Sequence, residues 1–189
     1  IVRAGYFYLK RGIMVFTLVG MPGCGKSSVG RELSMLLSLP FIDLDEYIES
    51  CSGKTVMQIF DSDGEDAFRR LESECLRHIL DEESDLVLAL GGGTLTQDDL
   101  AGLVEKQCLG VYLSASPETL ANRLLSEDSK EVLKRPLFAY CGIPLIDRLG
   151  ELLSLRESAY IRAAKFRIAT DGLTPAEVAV RIAAELRLY

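Results

Sequence analysis

The chain has 189 residues, 48% of them hydrophobic, and a formal net charge of -7. That length fits one domain with its own core, and the apolar content excludes a disordered chain. The acidic balance argues against nonspecific nucleic-acid binding, so an anionic ligand must meet locally placed positive charge.

Residues 1–13, "IVRAGYFYLKRGI", are short, mixed and basic. They read as an N-terminal extension, native or a cloning remnant, without the cleavage signature of a secretory signal. Met14 to Val19 is an apolar run that predicts a buried strand. Beyond a cluster of glycines, Val29, Leu33, Leu36 and Leu37 recur at helical spacing, and the helix should stop before Pro40. "PFIDLD", residues 40–45, reads as a second short strand ending in acids. Glu65 to Leu80 predicts a long helix with Phe68, Leu71, Cys75, Leu76 and Ile79 on one stripe. "DLVLALGGG" is a strand running into a glycine turn, and "CLGVYLSAS" is another, followed by a helix through Leu120, Leu124 and Leu125. Residues 126–142 are polar, charged and broken by Pro136; two helical segments follow, separated by the short strand "FRIAT". Strands alternating with helices predict one α/β domain, its parallel sheet covered on both faces. Ligands of such sheets bind beyond the carboxyl ends of the strands.

The five cysteines, Cys24, Cys51, Cys75, Cys108 and Cys141, are odd in number and hold no CxxC pair. They read as free thiols in a reducing cytoplasm. His78 is the only histidine, which leaves no material for a His-based metal site or a Ser/His/Asp triad. No apolar run approaches the ~20 residues of a membrane span.

"GMPGCGKS", Gly20 to Ser27, fits the pattern G-x-x-x-x-G-K-[ST] between a strand and a helix. Glycines let such a loop curl until its N–H groups point at phosphate oxygens, and the helix behind adds its positive end. Lys26 can reach the β- and γ-phosphates, and Ser27 can offer its hydroxyl to Mg²⁺. A GTPase reading finds only the short DxxG match Asp61 to Gly64 and no NKxD motif. The strand Leu86 to Leu90 ends in Gly91 rather than in a metal-binding Asp, so "FIDLD" must supply the acids. Asp43 could hold a metal-bound water and Asp45 could face an acceptor hydroxyl; alone, both could as well cap the helix that follows, but beside a P-loop the functional reading is favoured. Arg69 lies three residues before Glu72 on one helix face; a surface pair is the dull alternative there, and for Arg70 it is the preferred reading. Arg135, in "KRPLF", and Arg156, in "LRESAY", have the planar fork that suits carboxylate or phosphate. No spacing rule brings these arginines together. Gly91, Gly92 and Gly93 suggest backbone pressed against a small ligand, or a flexible turn.

Taken in order, "GMPGCGKSS", "FIDLDEYIE", "DGEDAFRRLE", "LALGGG", "RPLF" and "LRESAY" resemble the shikimate kinase family from Gly20 to Tyr160. The resemblance implies a single domain over residues 14–189 with the fold of nucleoside monophosphate kinases, a three-layer αβα sandwich on a five-stranded parallel sheet. It implies transfer of the γ-phosphate of ATP to the 3-hydroxyl of shikimate, with Mg²⁺, by a cytoplasmic monomer without nucleic-acid or membrane partners. Residues 44–80 then hold the substrate-binding helices and 126–142 a lid.

By motif match, Gly23, Cys24, Gly25, Lys26, Ser27 and Ser28 cradle the phosphates. Asp45 holds the ring hydroxyls, Arg69 and Arg156 the carboxylate, and Glu72 orients Arg69. Gly91 to Gly93 line the ring. Arg135 reaches the transferring phosphate, Arg123 stacks on an adenine that rests near Pro175, and Ser27 with Asp43, through water, holds Mg²⁺. Cys24 departs from the small residue usual at its place; its amide should still serve the loop, and its thiol would lie beside phosphates, open to oxidation. "RPLF" replaces a leucine ending. A gluconate or nucleotide kinase is the rival enzyme reading, and a degenerate nucleotide-binding module the rival outside enzymes. The first would not need two arginines for one ring acid beside the triple glycine, the second would need a base-reading pocket, and the third would be expected to have lost some of Lys26, Asp45, Arg69, Arg135 and Arg156.

Overall fold

A computed structural model describes residues 14–82, 84–125 and 142–186; Arg135, Cys141 and nearly all of the expected lid lie outside them. Within it, β1 (Val15–Val19), β2 (Phe41–Asp43), β3 (Leu86–Ala89), β4 (Cys108–Ser114) and β5 (Ala164–Ala169) form one parallel sheet in the order β2-β3-β1-β4-β5. The central strands β1 and β3 are buried at every residue, as expected for a parallel sheet covered on both faces. The edge strand β5 has mostly exposed or half-buried positions.

The helices are α1 (Lys26–Leu37), α2 (Leu44–Ser52), α3 (Val56–Asp63), α4 (Glu65–Asp81), α5 (Asp98–Gln107), α6 (Pro117–Leu124), α7 (Leu145–Ala163) and α8 (Pro175–Leu186). A single 3₁₀ turn, Thr94–Thr96, precedes α5. Local chemistry sets their starts. Thr55 and Gln58 close a capping box at α3, and Ser116 caps α6 just ahead of Pro117. Helix α1 packs so closely on β2 that a Cβ at Gly30 would lie 2.2 Å from the Phe41 ring.

Three sequence expectations shift. Residue 44 opens a helix rather than extending a strand, because Asp43 caps α2; Asp45 therefore sits in a helical first turn. Leu36, read at helical spacing with Val29 and Leu33, and Leu125, read as the end of a helix, are 52% and 58% exposed. Leu36 lies off the buried face of α1, made by Val29, Gly30, Leu33 and Ser34, and Leu125 lies past the last turn of α6. The final strand starts at Ala164, two residues before "FRIAT".

Candidate active site

The loop between β1 and α1 is curled by positive φ at Gly20, Gly23 and Gly25 (144°, 82° and 98°). Space as well as torsion demands glycine at the first: a Cβ at Gly20 would sit 2.4 Å from the Leu113 carbonyl oxygen. No side chain caps α1, so the amides of its first turn, at Ser27 and Ser28 among others, are left for a ligand or solvent. The Lys26 ammonium folds back over the loop and donates to the Gly20 and Met21 carbonyls, each at 3.0 Å. Cys24 turns inward. It is 1% exposed and its N–H donates to the Met21 carbonyl, so the thiol is buried beneath the loop rather than open to oxidants.

Asp43 carries two jobs at once. One oxygen accepts from the Asp45 N–H at 3.0 Å and caps α2; the other accepts from the Ser27 hydroxyl at 2.5 Å. Asp43 thus caps α2 and at the same time faces the first turn of α1. The half-buried Asp45 carboxylate reaches the end of β3, where a Cβ on Gly91 would meet its Oδ1 at 3.3 Å.

Helix α4 brings Arg69 and Glu72 to the same place. Glu72 is 1% exposed, so its pair with Arg69 is not a surface pair, while Arg70 is exposed as expected. The Glu72 carboxylate accepts from Arg69 Nη1 at 2.7 Å, Gln97 Nε2 at 2.9 Å and Thr94 Oγ1 at 2.6 Å. Burial pushes the Glu72 carboxyl above its ordinary range, while Arg69 and Thr94 pull the other way. Burial disfavours the charge on Arg69, but Glu72 and then Glu65 outweigh it and raise the guanidinium's pKa.

The Gly91–Gly93 run is backbone under close approach on every side. A Cβ at Gly92 would lie 2.7 Å from Pro22 of the P-loop, and one at Gly93 would lie 2.9 Å from Arg69 Nη2. From α7, the Tyr160 hydroxyl donates to the Gly92 carbonyl at 2.5 Å and Arg156 Nη1 donates to it at 3.2 Å. Arg156 is only 8% exposed and pairs with no carboxylate among the described residues. A largely buried guanidinium without a carboxylate partner is a ready seat for an anion. Arg69, Arg156 and Asp45 thus gather on one glycine run that touches the P-loop.

Arg123 bridges the P-loop to the end of β5, donating to the Thr170 carbonyl at 2.7 Å, the Thr170 hydroxyl at 3.0 Å and the Gly23 and Cys24 carbonyls at 3.4 Å. Next to it, Asp171 accepts from Thr119 Oγ1 and from the Ser116 hydroxyl and N–H, which pull its carboxyl down to about 2. These bonds fix α6 to the turn that leads into Pro175. Sequence reasoning missed Thr94, Gln97 and Tyr160. Only Tyr160 left a trace, four residues after Arg156 on the same helix face.

A shikimate kinase family model matches residues 22–187. A shikimate kinase of Thermus thermophilus is 41% identical over 174 residues, 90% of this chain and 88% of that protein. One of Chlorobaculum parvum is 36% identical over 184 residues, 95% of this chain and 97% of that protein. The solved structure of the Acinetobacter baumannii shikimate kinase in complex with shikimate superposes with a TM-score of 0.83 at 31% identity, covering 93% of this chain and 94% of that one.

Proposed function

We propose, from the premise that the chain belongs to the shikimate kinase family, that it transfers the γ-phosphoryl group of ATP to the 3-hydroxyl of shikimate. One observation supports this most: two guanidiniums, Arg69 and Arg156, meet at a single glycine run beside a phosphate loop, and the buried one has no carboxylate partner among the described residues.

The two forks grip the substrate's carboxylate, and their planar geometry fixes the ring's direction over Gly91 to Gly93. Asp45 holds the acceptor hydroxyl and takes its proton as the oxygen attacks the γ-phosphorus. The bond from that phosphorus to the β–γ bridging oxygen breaks, and ADP leaves. The amides of Gly23 to Ser28 and the Lys26 ammonium hold the phosphates in line. Ser27 Oγ and Asp43 Oδ2, 2.5 Å apart at the foot of the loop, are hard oxygen donors that suit Mg²⁺, Asp43 acting through water. When bound, that ion neutralises phosphate charge. Arg135, from the segment outside the described residues, spreads the charge that builds on the moving phosphoryl group. Closure of that segment keeps water from the γ-phosphate. Arg123, anchored on Thr170, presents its plane to the adenine. The reading includes a cytoplasmic monomer with small-molecule substrates and no nucleic-acid or membrane partner; among the described residues no helix is long and apolar enough to cross a membrane.

An ADP-release assay with and without shikimate tests the reading. Stimulation by shikimate is expected. Stimulation by gluconate or a nucleoside monophosphate, with none by shikimate, would replace it by the corresponding kinase.

A further inference from the structure

We propose that Gln97 is a positioning residue for the acid-binding end of the pocket: with Thr94 it fixes the Glu72 carboxylate, and through Glu72 the fork of Arg69. The inference rests on the reading that Arg69 grips the substrate's carboxylate.

Gln97 occupies the N-cap position of α5, where a side chain ordinarily accepts from the helix's own first amides. It makes no such bond. Its carboxamide turns inward instead and donates to Glu72 Oε2 at 2.9 Å. Thr94, 0% exposed, donates to the other oxygen at 2.6 Å. Two neutral donors from one short turn therefore approach the two oxygens of one buried carboxylate, and Arg69 supplies the third bond, to Oε2, at 2.7 Å. A carboxylate that is 1% exposed needs such donors to stay ionised and in one rotamer.

The turn that supplies them is continuous with Gly91–Gly93, and the Thr94 N–H donates to the Gly91 carbonyl at 3.2 Å. The same few residues thereby set the floor of the ring pocket and the direction of the fork beside it. Arg69 has a second partner in Glu65, at 3.2 Å, but that carboxylate is 66% exposed and holds the guanidinium weakly. Loosening Glu72 would let Arg69 swing toward Glu65 and away from Gly93.

Gln97→Ser separates this role from a structural one, because serine is a good N-cap. The new cap should offset most of the stability lost with the bond to Glu72, leaving the melting temperature within about 5 °C of wild type, while the KM for shikimate rises about tenfold, the scale of one hydrogen bond to a charged group. The KM for ATP should stay within about twofold of the wild-type value, since no bond of the phosphate loop is touched. Gln97→Met, which keeps the length and loses the donor, should raise the shikimate KM alike. At the other oxygen, Thr94→Ser should retain the wild-type KM and Thr94→Val should not. A wild-type KM in Gln97→Ser, or equal rises in the KM values for ATP and shikimate, overturns the inference while the function stands. A wild-type chain whose ADP release ignores shikimate overturns both.

Discussion

Replacing Arg156 by methionine should separate binding from folding. The guanidinium is 8% exposed, so its contact with a substrate carboxylate forms largely out of water. Truncating one partner of a buried, hydrogen-bonded charge pair costs about 2–5 kcal/mol. The middle of that range corresponds to a loss of about 10²–10³-fold in kcat/KM for shikimate. Stability should move the other way or not at all. In the free protein Arg156 carries a desolvation penalty of several kcal/mol that no carboxylate among the described residues offsets. The Gly92 carbonyl is not orphaned by the change, because the Tyr160 hydroxyl still donates to it at 2.5 Å. Steady-state ADP release at varied shikimate, with calorimetric melting of both proteins, gives the two numbers. A melting temperature lower by more than roughly 5 °C, with the shikimate KM unmoved, would refute the reasoning and make Arg156 a prop for α7.

Asp43→Asn can keep the cap on α2 but puts an amide nitrogen in place of the oxygen that accepts from Ser27, so it should raise the Mg²⁺ concentration for half-maximal rate about 10–100-fold with little change in melting. Asp43→Ala should show the same kinetic defect and lose about 1 kcal/mol of stability as well, measured by urea unfolding. Gly92→Ala puts a Cβ 2.7 Å from Pro22, so both the ATP and the shikimate KM should rise, with about 1–3 kcal/mol of destabilisation. Asp171 has a folded-state pKa of about 2, below the ordinary 3.8, so its contribution is present above pH 3.8 and lost as the pH falls toward 2. Acid titration of Asp171→Asn should therefore show a flatter fall in stability across that window than the wild type shows.

The strand, glycine loop and first helix were legible because each states its own conformation: apolar β-prone residues, glycines at positive φ, then apolar residues at helical spacing. The limits were physical. Periodicity finds a helix face but not how far its cover extends, and Leu36 and Leu125, apolar at or near helical spacing, are exposed. Asp43 and Asp45 fit both a cap and a metal shell, and only the Ser27 contact shows that Asp43 also faces the P-loop. The i,i+3 pair of Arg69 and Glu72 looks like any solvated pair in sequence; the other partners of the Glu72 carboxylate, Thr94 and Gln97, lie on a turn far along the chain. The meeting of Arg69 with Arg156 depends on the glycines after β3 lying against side chains of both α4 and α7, a tertiary contact that no local spacing encodes.

The most direct measurement is a crystal structure of the chain with ADP, Mg²⁺ and shikimate bound. The shikimate carboxylate should lie between the guanidiniums of Arg69 and Arg156, with the 3-hydroxyl on Asp45 and facing the end of the ADP phosphates. A carboxylate bound away from both arginines, or a ring hydroxyl turned from the phosphate loop, would contradict the account.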